Sequence, residues 1–243
     1  AGRMEELKAE LRRSLRILWF LALPLTALFL VIPEPIIRLL FQHGAFTDES
    51  TKMVTIALLY LAPSIFFYVA RDLITRVFYA FKDSKTPFHV ALIAIVVKAI
   101  LDWFFVYQLK LGVEAISLAS TLITIINLSL LSWFLKKRIG LLGFSKLIQP
   151  LAIMFLASGL CAASAWGLSS VLTSPTALHW LSNMVPELAF VLKRAQLIFA
   201  VGSASAIGGV VYIGTCLILG LEEPSLVAQR IPVLKKIVKK ISP

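Results

Sequence analysis

Apolar residues gather in six long runs, Ile17 to Phe41, Met53 to Phe78, Phe88 to Tyr107, Val113 to Leu135, Leu147 to Leu172 and Ala195 to Leu219. A helix needs about 20 largely apolar residues to cross roughly 30 Å of hydrocarbon, and each run meets that length. Period-2 alternation is absent, which argues against a β-barrel. In the first run Pro33-Glu34-Pro35 interrupts the apolar pattern. Pro35 suits the first turn of a restarted helix, so a kinked or two-piece span is expected. The predicted fold class is an all-α integral membrane protein with six transmembrane helices. It divides into an amphipathic segment 1–16, four spans within 17–135, a basic loop 136–146, two further spans within 147–219 and a basic tail 220–243. Leu7, Leu11, Leu15 and Leu18 recur at helical spacing among charges, which predicts either a surface helix lying at the lipid headgroups or a solvated charged helix or frayed end. The stretch from Val233 to Lys240 is a second candidate of that kind.

Composition agrees with this reading. Of 243 residues 59% are hydrophobic and 15% charged, against roughly 25% charged in an average soluble domain. Sixteen Phe and five Trp are the reverse of a disordered composition. Two cysteines, both inside apolar runs, exclude a disulfide scaffold. The net charge of +11 excludes nucleic acid as a partner here, because the bases sit in short segments between apolar runs instead of on one solvated face. Sixteen Lys and Arg fall in 1–16, 79–87, 136–146 and 220–243, against four in the alternate loops. That bias predicts both termini in the cytoplasm or its organellar equivalent. The chain begins with Ala1, and the start of a longer protein is expected to precede it.

Ionisable residues inside hydrocarbon cost several kcal/mol unless paired or facing water. In the second run Tyr68, Arg71, Asp72, Thr75, Arg76 and Tyr79 recur at i, i+3, i+4, i+7, i+8 and i+11, one stripe on one helix face. The third run carries Lys98 and Asp102 one turn apart. At about 1.5 Å per residue, folding back at Ala80 brings Asp72 level with Lys98. Interhelical pairing among Arg71, Asp72, Lys98 and Asp102 is therefore predicted, either as a lock between two helices or as the lining of a pathway. The last two runs are rich in small residues, and Ser158/Ala162 and Ala204/Gly208 have small-xxx-small spacing. Close helix packing is expected there, with a smooth groove for a lipid chain as the alternative.

Catalytic signals are weak. His43, His89 and His179 fall in or near three different loops, no metal-ligand spacing appears, and no phosphate-cradling glycine motif is present. Cys161 and Cys216 read as packing residues. No cofactor or metal is called for.

Two local motifs go further. Leu40-Phe41-Gln42-His43-Gly44-Ala45-Phe46-Thr47 follows the first span, and Arg76-Val77-Phe78-Tyr79-Ala80-Phe81-Lys82-Asp83-Ser84-Lys85-Thr86-Pro87 joins the second to the third. With Leu21-Ala22-Leu23-Pro24, their order and spacing resemble the MurJ/MviN family of lipid II flippases, within the multidrug and polysaccharide exporters. Phe78, Tyr79, Asp83, Thr86 and Pro87 are the more specific element. The resemblance implies the last six helices of a fourteen-helix, two-lobe transporter whose N-terminal half lies outside this chain. It implies transport and no enzymatic reaction: an undecaprenyl-type lipid-linked peptidoglycan precursor moved by alternating access. It also implies membrane lipids as partners and the bacterial inner membrane as location, with a plastid membrane as alternative. The family's substrate-facing arginines have no counterparts in this chain, and some relatives place a lysine where this chain has Asp72. Competing readings are an exporter of another lipid-linked polysaccharide or drug, and a membrane scaffold that transports nothing.

Overall fold

A computed structural model of the chain describes residues 2–143, 145–173 and 189–230. Regular structure there is helical throughout: α1 (Gly2–Val31), α2 (Pro33–Phe41), α3 (Asp48–Leu61), α4 (Ser64–Ala80), α5 (Lys85–Trp103), α6 (Val113–Ile139), α7 (Ser145–Leu172), α8 (Ala189–Ile218) and α9 (Glu223–Arg230). A π-helical turn, Phe104–Gln108, continues α5. Five helices are long and apolar enough to cross a membrane, and α3 with α4 makes a sixth when the bent pair counts as one span.

Prolines decide where these spans bend. The first run breaks as expected, at Ile32 between α1 and α2, with Pro33 in the opening turn of α2 where its missing N–H costs nothing. The second run was expected as one continuous span. It bends by 50° between Leu61 and Ser64 instead, because Pro63 has no N–H to continue the α3 ladder. Tyr60's carbonyl, beside the break, accepts the Thr121 hydroxyl of α6 at 2.6 Å. Pro24 lies inside α1 and so cannot donate to the carbonyl of Phe20, four residues back. The Tyr212 hydroxyl of α8 donates to that carbonyl at 2.9 Å. At Phe20 a neighbouring helix thus satisfies the backbone carbonyl that a proline leaves open.

The core joins Leu11, Leu15, Trp19 and Phe20 of α1 to Ile74 and Phe78 of α4, Leu135 of α6, Met154 of α7 and Tyr212 of α8. Helix α7 packs most extensively on α8 and then on α1, while α6 packs on α3, α4 and α5. The small-residue faces meet as expected: Ala157, Cys161, Ala165, Ala200 and Ala204 are fully buried. A Cβ on Gly208 would stand 3.0 Å from Cys161 Sγ. Segment 3–16, by contrast, is not a separate surface helix. It forms the first turns of α1, and Leu11 and Leu15 are buried against protein. The leucine repeat specifies an apolar face and leaves open whether lipid or protein covers it. The candidate helix from Val233 to Lys240 lies outside the described residues.

Candidate functional site

Helix α4 ends, and α5 begins, on the Phe-Tyr-Ala motif. Asp83 N–H donates to the Phe78 carbonyl at 3.0 Å and Lys82 N–H to that of Tyr79 at 2.9 Å. This paired closure needs a left-handed residue, and Lys82 supplies it with φ 57°. Asp83 then caps α5, accepting the Thr86 N–H at 3.0 Å and the Thr86 hydroxyl at 2.9 Å. Pro87 is buried in the first turn of α5. From α6, Arg138 donates to Asp83 Oδ2 at 2.5 Å, its guanidinium lying over the Phe81 ring. The Thr86 N–H, then its hydroxyl, hold the Asp83 carboxyl below its usual range, and Arg138 adds to that. The motif therefore builds a hairpin: Phe78 anchors it in the core, Asp83 and Thr86 cap it, and Arg138 fastens it to α6. Tyr79 stays exposed.

The second motif is also a turn. Gly44 has φ 62°, a conformation glycine adopts without strain. Thr47 caps α3 by accepting the Ser50 N–H at 3.2 Å. Arg38, expected inside the first span, binds Glu34 and Asp48, each at 2.9 Å, across this turn.

Charges from several elements converge at the α1 N-terminal end. Arg12 donates to the Leu142 carbonyl, between α6 and α7, at 2.7 Å. Arg16 pairs with Glu223, the first residue of α9, whose side chain is 3% exposed. Together with the Arg138–Asp83 contact, these ties gather the start of α1, the α4–α5 hairpin, the α6–α7 connection and the α8–α9 junction at one end of the bundle.

The intramembrane stripe does not pair as predicted. Asp72 binds Arg76 within α4 at 2.9 Å, and Lys98 binds Asp102 within α5 at 2.8 Å. Arg71 lies over the Tyr68 ring, 4.3 Å from its centroid. The interhelical prediction rested on chain neighbours packing together, whereas α4 and α5 both pack chiefly on α6 and touch each other only sparsely. Each acid takes the base one turn away, the cheapest partner a helix offers.

What Asp72 and Arg76 do face is α1. A groove of about 740 Å³ separates the two helices, closed at one side by α9. Tyr68, Asp72 and Arg76 form one wall and Glu10, Arg13 and Ser14 part of the other, above Leu18, Leu21, Val69 and Leu73. The polar residues of α1 were not singled out from the sequence. The signal was available: Glu10, Arg13, Ser14, Ile17, Leu18 and Leu21 follow the same i, i+3, i+4, i+7, i+8, i+11 series as the stripe on α4. Arg71 and Thr75 do not line the groove, and neither do Lys98 and Asp102.

This architecture defines a multi-pass α-helical membrane protein, with spans bent at prolines and an amphipathic groove opening beside its basic end. The family model described as lipid II flippase MurJ matches residues 1–190, and the chain belongs to that family. A probable lipid II flippase MurJ of Synechocystis sp. is 28% identical over 204 residues, covering 83% of this chain and 37% of that protein. The lipid II flippase MurJ of Thermosipho africanus is 31% identical over 126 residues, 52% of this chain and 26% of that protein. A probable lipid II flippase MurJ of Thermotoga maritima is 34% identical over 117 residues, 48% and 24% respectively. The match thus spans less than two fifths of each relative's length.

Proposed function

We propose that this chain forms the C-terminal part of a flippase that moves lipid-linked peptidoglycan precursor, lipid II, across the bacterial inner membrane. The observation that carries the reading is the family match over residues 1–190, joined to relatives named as lipid II flippases. In this reading the protein is a transporter of fourteen helices in two lobes. The spans within 17–135 complete the second lobe, and those within 147–219 are an appended pair. The cargo is of undecaprenyl type. Both termini face the cytoplasm, a placement supported by the convergence of basic segments at one end of the bundle. Alternating access needs helices that move as rigid units about a fixed site. The capped hairpin at 81–84 supports that: it joins α4 and α5 through a short closed turn and fixes both to α6 through Arg138. Asp72 and Arg76 would carry the polar wall of α4 past the substrate path, with Arg71 beside them and Lys98 and Asp102 transmitting movement along α5.

Complementation tests this. The full-length protein is expressed in a bacterium depleted of its own lipid II flippase, and lipid II exposed on the outer face is measured. Restored exposure is expected. No exposure despite correct insertion overturns the reading in favour of another cargo or a scaffold.

A further inference from the structure

A second cavity, of about 300 Å³, lies between α1, α7 and α9 at the basic end. Arg12, Arg13, Arg16 and Lys146 line it, against Glu222 and Glu223. Arg16 is spent on Glu223, and Arg12 holds the Leu142 carbonyl with one nitrogen. Arg13 and Lys146 make no side-chain hydrogen bond or ion pair to another described residue, so the cavity keeps an excess of positive charge. Arg13, Ile17 and Leu226 line this cavity and also the larger groove between α1 and α4. The two spaces are therefore adjoining parts of one amphipathic site. From its basic mouth the groove follows α1 from Glu10 to Leu21, about 16 Å at the helical rise; Asp72, Leu73 and Arg76 face its near half, and Ile17, Leu18, Leu21, Tyr68 and Val69 line its far half.

We infer that this composite site holds one resident anionic phospholipid, its headgroup phosphate in the cavity between Arg12, Arg13 and Lys146 and one acyl chain in the groove between α1 and α4. The argument is complementarity of charge and of polarity along one axis. Basic pockets between helices at the membrane surface suit phosphate headgroups, and a groove that starts at such a pocket among paired charges and turns apolar toward Leu18, Leu21 and Val69 suits the attached chain. The acids do not cancel this charge: Glu223 pairs with Arg16 and Asp72 with Arg76, while Arg12, Arg13 and Lys146 outnumber Glu10 and Glu222. Helix α9 closes the site through Leu226, and the buried Glu223–Arg16 pair holds α9 in place. This groove shares the Asp72 and Arg76 wall with the path proposed for the cargo, so the inference rests on that site, while its test reads retention of a phospholipid and not transport.

The test is native mass spectrometry of the full chain, delipidated and titrated with dioleoyl phosphatidylglycerol or dioleoyl phosphatidylcholine. One phosphatidylglycerol is expected to be retained in preference to phosphatidylcholine. Arg13→Gln and Lys146→Gln should each weaken it about fivefold, the effect of about one cation near a phosphate. Arg13→Lys should restore most of the binding, and Lys52→Gln at the opposite end should leave it unchanged. Leu21→Trp, which narrows the groove and leaves every cation in place, should weaken the whole lipid. Equal retention of the two lipids overturns the proposal. So does unchanged binding in the Arg13→Gln/Lys146→Gln double variant, or competition by glycerol phosphate as strong as by the intact lipid.

Discussion

Charges that join two elements and charges that pair within one helix do different work in this molecule. Three ties at the basic end cross between elements: Arg16 of α1 to Glu223 of α9, Arg138 of α6 to Asp83 before α5, Arg12 to the backbone beyond α6. In α4 and α5, the pairs Asp72–Arg76 and Lys98–Asp102 close within one turn of their own helices, as Glu5 and Lys8 do in α1. The first kind fixes helices to one another. The second kind neutralises a helix without attaching it to anything, so that helix can shift as a unit and keep its charges paired. The choice of partner, across elements or within a helix, thus separates fastening from insulation, although the residue types are the same.

The largest expected effect lies on the fastening side. Glu223 is buried, and removing its charge leaves Arg16 facing low dielectric alone. Glu223→Gln is expected to cost about 3 kcal/mol, at the lower end for breaking a buried pair because Arg16 is partly exposed. Arg16→Met with Glu223→Leu should recover much of that loss in thermal unfolding of the purified protein. A double variant as unstable as the single one would show that the pair does not clasp α9 to α1.

Asp83 gives the next effect, and pH sharpens it. Its carboxyl is held below the usual range in the folded protein, so its contribution is complete above the ordinary carboxylate value of about 4. That contribution is lost as pH falls through the lowered value. Asp83→Ala should lower the unfolding temperature at neutral pH by less than Glu223→Gln does. The gap between wild type and variant should then narrow in acid. A gap that is independent of pH would mean that the ionised carboxylate does not cap α5.

These two regions also differ in how far they can be read from sequence. Hydropathy reports each apolar run, and Pro33 and Pro35 report the first break, because both signals are local. The bend at Pro63 escapes hydropathy, since Leu61, Ala62 and Ile65 keep the run apolar while the missing N–H of Pro63 breaks the ladder. Spacing placed Asp72 and Lys98 at one depth, and depth was not enough. Helix α6 lies against both α4 and α5, a topological fact that no spacing along two neighbouring helices contains. The hairpin motif was legible as a unit because its contacts run between residues 78 and 87, all but the one to Arg138. The polar face of α1 was legible in principle but was overshadowed by the leucine repeat on the adjoining face, which shares Leu18 with it.

A smaller effect tests the insulation directly. Double-mutant cycles should give a measurable coupling between Asp72 and Arg76 and between Lys98 and Asp102. The α4 pair is expected to be the stronger, because its acid precedes its base and so opposes the helix dipole favourably, whereas Lys98 precedes Asp102. Between Asp72 and Lys98 the coupling should stay within about 0.5 kcal/mol, the additivity expected of residues that share no partner. A larger value would restore the interhelical contact that the packing of α6 opposes.

The smallest effect concerns Arg71, a cation of the stripe that makes no ion pair among the described residues. Its guanidinium rests on the Tyr68 ring, and Tyr68 is half exposed along the groove wall. A cation over an aromatic face at a partly exposed site is worth about 0.5–1 kcal/mol. Tyr68→Leu keeps the bulk and removes the π-face, so it should destabilise the protein by about that amount. Tyr68→Phe keeps the face and should cost less. Arg71→Met should abolish the difference between the two Tyr68 variants, since no cation then remains to sense the ring. If that difference persists without Arg71, the ring is acting through its hydroxyl or its packing, and the guanidinium must be satisfied in some other way.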